Sequence, residues 1–279
     1  MLPDPLVTHA TCPKIMGILN LTPDSFSDGG SYGDPSSALK QVLKMRSEGA
    51  DVIDIGGEST RPGALPVDPD EQWRRVGSIF TTLGRDEELS TIPLSIDTSS
   101  SWVAEKAIAQ GACIVNDVSA GQRDPEILEV VANSEATMVL MHLKGMPLNM
   151  QQAPFYEDVV TQVIEALLDR VEVAIHRGIP KGRLMIDPGI GFGKTREHNL
   201  LLLHALPQFV ALGYPVLLGC SRKRFMGAIV HDDQPRELLG ATVATTALGV
   251  QAGVHMFRVH DVKANHQAAW VAHAITQAG

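Results

Sequence analysis

The sequence predicts a single-domain α/β protein, an eight-fold β/α barrel of the TIM type, and three observations predict it. Eight short apolar, β-branched runs each end in polar residues or Gly/Pro punctuation, segments of helical periodicity lie between them, and one helix-to-strand turn recurs along the chain. The runs are residues 14–21, 51–55, 93–97, 113–117, 137–142, 184–187, 215–219 and 255–260. Continuous apolar stretches such as Val216–Leu217–Leu218 suit strands covered on both faces, as a parallel sheet requires. Residues 1–13 read as an N-terminal extension and residues 14–279 as the barrel, a length that one such domain accommodates. An open doubly wound sheet is the competing topology.

The helices carry their own start and stop signals. Asp34–Pro35 provides an N-cap followed by a first-turn proline, and Gly49 provides a stop. Asp68–Pro69 repeats that start ahead of Trp73, Val76, Ile79, Phe80 and Leu83, which are spaced to share one helix face. The longest helix is expected over residues 155–177, with Val160, Ile164, Leu167, Val171 and Ile175 on its apolar face and Gly178 ending it. Glu48–Gly49–Ala50, Gln110–Gly111–Ala112 and Ala252–Gly253–Val254 each lead straight from a helix into a strand, the echo expected when the β/α unit recurs.

Composition narrows the function. Hydrophobic residues make up 44% of the chain and charged residues 20%, an ordinary soluble profile. The net charge of −9 argues against general nucleic-acid binding, which needs an excess of Lys and Arg to neutralise phosphates. No apolar stretch approaches the roughly 18 residues needed to span a bilayer, and no basic segment with an apolar run marks a signal peptide. Cys12, Cys113 and Cys220 lack metal-type spacing, so a reduced cytoplasmic setting is expected.

In a parallel barrel the reactive face is the one at the strand C-termini. The residues there are Asn20, Asp54 and Glu58, Asp97, Asn116 and Asp117, His142, Asp187, Ser221 and Lys223, then Arg258 and His260. Any one could cap the following helix, and Asp54 and Asp117 could be buried structural acids. A whole ring of such residues is poorly explained by packing. Two long polar loops, 20–30 after the first strand and 56–63 after the second, have the length of binding loops or lids.

The stretch from Asp187 to Thr195 looks like a nucleotide loop and fails the test. A phosphate-binding loop needs Gly where Pro188 stands, and the dinucleotide pattern would need Gly in place of Lys194. Its glycines instead suggest close backbone approach to a flat ligand with Phe192 at its edge. Ser221–Arg222–Lys223–Arg224 places a basic cluster at a helix start, a good anion site. Arg258 and His260 alternate along their strand and so point the same way, into the barrel mouth.

Taken together, the strings NLTPDSFSDGG, GGESTRPGA, SIDT, NDVSAG, the stretch from Met141 to Gln151, DPGIGFGK, SRK and RVHDV resemble the dihydropteroate synthases of the pterin-binding barrel family, in order and over nearly the whole chain. The resemblance implies condensation of (7,8-dihydropterin-6-yl)methyl diphosphate with 4-aminobenzoate, releasing diphosphate, in folate synthesis, with Mg2+ and in a homodimer. It implies a pterin pocket of Asp97, Asn116, Asp187 and Lys223, with apolar contact from Met141 and Phe192. A planar ring rich in donors wants such partners, since each one buried unpaired would cost roughly 1–3 kcal/mol. Asn20 matches the metal ligand; Arg61, Arg258 and His260 match the diphosphate site; Thr60, Arg61, Pro62 and Ser221 match positions near the aminobenzoate. Asp28 is a candidate for stabilising a developing CH2 cation, and the catalytic set implied is Asp28, Arg61, Lys223, Arg258 and His260. Leu143 and Met146 depart from the family's usual residues in the loop after strand five.

Three rivals share parts of this pattern. A methyltetrahydrofolate:corrinoid methyltransferase would keep the pterin acids but has no use for Thr60–Arg61–Pro62 or Ser221–Arg222–Lys223. A Schiff-base aldolase would use Lys223 at its strand end. A non-catalytic pterin-binding paralogue would be expected to have lost Asn20, Asp28 or Arg61, and all three are present.

Overall fold

Eight parallel strands hydrogen-bond in the order β6-β5-β4-β3-β2-β1-β8-β7. A further parallel bridge, Ile186 to Val216, joins the two ends, so the sheet closes on itself and the open topology is excluded. This computed structural model describes residues 12–22, 35–61, 63–85, 89–146, 148–232 and 234–278. The strands are β1 (Lys14–Asn20), β2 (Val52–Gly56), β3 (Leu94–Asp97), β4 (Ala112–Asp117), β5 (Thr137–Met141), β6 (Leu184–Asp187), β7 (Leu217–Leu218) and β8 (Met256–Val259). Helices α1 (Pro35–Ser47), α2 (Pro69–Arg85), α3 (Ser101–Ala109), α4 (Glu126–Ala132), α5 (Val159–His176), α6 (Arg196–His204), α7 (Leu206–Val210), α8 (Arg224–Val230), α9 (Leu239–Gln251) and α10 (Val262–Thr276) lie between or after them. None of these helices is long and apolar enough to cross a membrane.

The strands place the site by simple alternation. Val52, Ile114, Val139, Met185, Leu217 and Met256 form one buried cluster with Met16, separate from the larger cluster between strands and helices. Two residues further along the same strand faces stand Asp54, Asn116, Met141, Asp187 and Arg258. The barrel is thus plugged with apolar side chains below and turns polar one layer higher.

The recurring turn has a common cause. Gly49, Gly111, Gly178 and Gly253 all adopt φ between 89° and 99°, the left-handed conformation that ends a helix and redirects the chain. Asp68 caps α2 by accepting from Asp70 N at 2.9 Å, and Val76, Ile79, Phe80 and Leu83 are fully buried on its inner face. The partner cap residue Asp34 lies outside the described residues.

The long helix differs from its expected course. It begins at Val159, not at residue 155, because Asp158 caps it by accepting from Val160 N and Thr161 N. Phe155 and Tyr156 are used instead in loop contacts, Lys144 Nζ donating to Phe155 O and Tyr156 Oη to Gly193 O. Its buried face is Val159, Val163, Leu167, Val171 and Ala174, rotated from the expected one, and Ile175 is 41% exposed. Leu167 and Val171 sit on both stripes, so periodicity alone did not separate them.

Candidate active site

At the barrel mouth a single arginine organises the acids. Arg258 on β8 donates through Nε to Asp54 Oδ2 on β2 at 2.6 Å and through Nη2 to Asp97 Oδ2 on β3 at 2.6 Å. Asn116 on β4 donates to the same Asp54 oxygen at 3.2 Å. Asp54 is fully buried, and among the described residues its Oδ1 has no hydrogen-bond partner, so Arg258 is the cation that faces it. Burial works against the guanidinium charge, but Asp54 and Asp97 outweigh it and hold Arg258 above its ordinary pKa. Burial raises Asp97 toward 7 while Arg258 opposes the rise.

A third acid stands across the mouth. Asp187 on β6 is buried, accepts from Gly189 N at 2.7 Å, and is pushed up to about 6 by burial, with Gly189, Lys223 and Lys194 pulling the other way. Lys223 lies with Nζ 4.1 Å from the Phe192 ring centroid, a cation–π arrangement. Burial brings its pKa down to about 8. Phe192 and Met141 share a small apolar cluster with Val118 and Met150, and Leu143 packs against it, so the unusual residue still serves this wall.

Ser221 and His260 form a third group. Ser221 Oγ lies 2.9 Å from His260 Nδ1 and accepts from His260 N at 3.1 Å. Burial, then the cations Arg222, Arg258, Arg61 and Lys223, depress His260 to about 3, so it is a neutral imidazole at pH 7. Arg61, exposed on the loop after β2, is therefore within electrostatic reach of the mouth. Thr60 beside it is half-buried. Asp28 and Pro62 lie outside the described residues.

The basic cluster after β7 does not act as a block. Arg222 adopts φ +57° and pairs with Asp261 through two contacts of 2.7 and 3.0 Å, and its backbone N–H goes to Thr242 Oγ1. Ser221 and Lys223 remain turned to the mouth groups. Asp117 is structural, accepting from Ser99 Oγ, Ser119 N, Ser119 Oγ and Gly121 N to fold the loop after β4. Asp54 is not merely structural, because it orients Arg258; no local pattern distinguished the two acids.

The glycines after β6 serve a neighbour rather than a flat ligand alone. A Cβ on Gly189 would stand 1.9 Å from His142 O, and one on Gly193 would stand 2.2 Å from Lys144 O. The loops after β5 and β6 thus pack backbone to backbone. Lys194, given no role by its sequence context, is buried at that seam.

As for metal, the described residues hold no cluster of three His, Cys, Asp or Glu side chains able to bind an ion. Asn20 Oδ1 and Asp97 Oδ2 both lie 3.5 Å from the position of a Cβ on Gly56, but that Asp97 oxygen already accepts from Arg258 Nη2, which leaves Asn20 as the hard oxygen donor there. A carboxamide oxygen of this kind suits Mg2+ if phosphate and water complete the shell.

A closed parallel barrel whose mouth joins buried acids to an arginine, a lysine and a neutral histidine defines an enzyme for a donor-rich, anionic small molecule. The family model described as pterin binding enzyme matches residues 16–260, and the chain belongs to that family, among its dihydropteroate synthases. It is 44% identical over 272 residues to the dihydropteroate synthase of Mycobacterium leprae, covering 95% of this chain and 94% of that one. The Yersinia pestis dihydropteroate synthase solved with a sulfonamide drug superimposes with TM-score 0.89 at 38% identity, covering 96% of each chain. The Xanthomonas albilineans enzyme with 4-aminobenzoic acid gives 0.88 at 42% identity, covering 96% of this chain and 94% of that one.

Proposed function

We propose that the chain condenses (7,8-dihydropterin-6-yl)methyl diphosphate with 4-aminobenzoate to give 7,8-dihydropteroate and diphosphate. The observation that carries this is the stacking of two zones in one mouth. Buried Asp97, Asn116 and Asp187 stand ready for the donor edge of a pterin, and Arg61, Lys223, Arg258 and His260 stand ready for an anion. The 4-aminobenzoic acid bound by the Xanthomonas relative fits the same reading.

The aryl amine is neutral at pH 7, so leaving-group departure sets the barrier. As the C–O bond to diphosphate lengthens, positive charge on the CH2 carbon spreads into the ring. The amine nitrogen then forms the C–N bond and loses its proton to solvent. Neutral His260 donates a hydrogen bond to the departing diphosphate without delivering a proton, while Arg61 and Lys223 offset its charge. Asn20 would hold Mg2+, which supplies further charge stabilisation on the diphosphate. Thr60, Arg61, Pro62 and Ser221 would surround the aminobenzoate, and Asp28 would face the cation from the loop after β1. Both loops would exclude water that could capture the cation.

Incubating the protein with both substrates and Mg2+ should release diphosphate only when 4-aminobenzoate is present, and chelation by EDTA should slow release. Aminobenzoate-independent release, or none, would remove the synthase reading. A Schiff base on Lys223, trapped by borohydride, would favour the aldolase instead.

Two further features fit this setting. All three cysteines are free thiols, which suits a reducing cytoplasm. Helices α9 and α10 pack together and expose Leu248, Trp270, Val271 and Ile275, each more than half accessible, and we assign this face to a homodimer interface. Sedimentation equilibrium should give twice the chain mass, and Leu248→Glu should return it to monomer; a wild-type monomer at micromolar concentration would overturn the assignment.

A further inference from the structure

Lys194 is 2% exposed, yet its three polar contacts among the described residues are to uncharged acceptors. Its Nζ lies 2.9 Å from His142 Nδ1, 3.3 Å from His142 O and 2.9 Å from Phe192 O. Retaining a buried cation is costly unless its hydrogen bonds are met. Here an ammonium with three N–H groups meets three acceptors, two on the loop after β5 and one on the loop after β6.

The surrounding geometry has one purpose in common. Gly189 comes so close that a Cβ there would lie 3.3 Å from Lys194 Nζ, and Gly193 admits Lys144 O at a distance no side chain allows. Tyr156 Oη donates to Gly193 O at 3.0 Å and Gln151 Nε2 to Gly191 O at 2.7 Å. Phe192 sits in the middle of this seam, its carbonyl held by Lys194 and its ring covered by Lys223.

We propose that Lys194 is a positioning residue: by clamping the loops after β5 and β6 it fixes Phe192 as the apolar wall of the pterin pocket. This rests on the pterin reading of the site. Burial brings the Lys194 pKa down to about 7; at pH 6 it is an ammonium, which only donates, so there His142 Nδ1 is the bare acceptor and its Nε2 carries the hydrogen.

The test has two arms. In the first, the affinity for (7,8-dihydropterin-6-yl)methyl diphosphate is measured by calorimetry in a double-mutant cycle of Lys194→Met and Phe192→Ala. Lys194→Met is expected to weaken binding at least tenfold with Phe192 present and no more than twofold once Phe192 is alanine. Equal losses in both backgrounds would show a role independent of Phe192 and overturn the proposal. Lys194→Gln, which keeps two donors, should fall between wild type and Lys194→Met, and serves if the methionine variant does not fold. In the second arm, 15N spectra of histidine-labelled wild-type protein at pH 6 should show His142 neutral with Nδ1 unprotonated; a protonated Nδ1 would overturn the clamp. That arm needs neither variant nor ligand. A wild type that binds no pterin would therefore count against the function, while the His142 spectrum still decides the clamp.

Discussion

The Arg258→Ala variant is expected to lose turnover by about 10²–10³-fold or more, and to melt well below the wild type. From the sequence alone, Arg258 belongs to the diphosphate site, and its loss should damage turnover more than pterin binding. The ion pairs change that expectation. Arg258 is the shared partner of Asp54, which is fully buried, and of Asp97, which is 5% exposed. Removing one member of a buried pair leaves an uncompensated charge, at a cost of about 3–5 kcal/mol. In a domain of this size that lowers the melting temperature by roughly 10 °C. Asp97, already raised toward 7 with Arg258 opposing the rise, would take up a proton, and a protonated Asp97 no longer offers two acceptors to the pterin. Binding and turnover should therefore fall together. Arg258→Lys should be intermediate, because one ammonium cannot span both carboxylates as a guanidinium fork does. Calorimetric titration beside a melting curve checks this; a variant that melts like wild type and binds pterin normally would contradict the bridging role.

Asp187→Asn is expected to weaken pterin binding about 10- to 150-fold, the equivalent of a charged hydrogen bond worth roughly 1.5–3 kcal/mol. The amide can still accept from Gly189 N, so the loop after β6 keeps its turn. It cannot accept twice from the ring. The pH dependence separates this from a packing effect. Burial raises Asp187 to about 6 from an ordinary value of 3.8. Its folded pKa is above its unfolded one, so its contribution to stability is complete below about pH 4 and declines as pH rises through 6. Binding runs the opposite way, since the ring's donors need the ionised carboxylate. Wild-type affinity should thus climb between pH 5 and 7 more steeply than that of Asp187→Asn, which keeps only the rise that Asp97 contributes. A wild-type affinity independent of pH there would show that Asp187 is not the group the ring meets.

Much of the site was readable without coordinates because of one geometrical rule. In a parallel barrel each strand ends at the same face, so a list of strand-end residues is already a list of mouth residues. Asn20, Asp97, Asn116, Asp187 and Arg258 were found in this way. Family resemblance then grouped them by ligand. Boundaries were less secure: β7 has two residues where five were expected, because Val216 just before it bonds to residues 255 and 256 through single contacts, His255 N and Met256 N donating to Val216 O and Val216 N to His255 Nδ1. The start of α5 shifted for a similar reason, since Phe155 O is bound by Lys144 of the same loop and Tyr156 Oη donates to Gly193 O in the loop after β6.

The sequence by itself determined the barrel, the polar face and the residue types on it, because alternation and helical period are local properties of the chain. Only the tertiary structure decided which of those residues are partners. Arg258 meets Asp54 from 204 positions away and Asp97 from 161. Lys194 meets His142 across 52. Such pairings depend on the register around the closed sheet and on how closely neighbouring loops approach. No local pattern records either. That is why Asp54 and Asp117 looked alike in sequence, although one orients the arginine of the mouth and the other folds a loop.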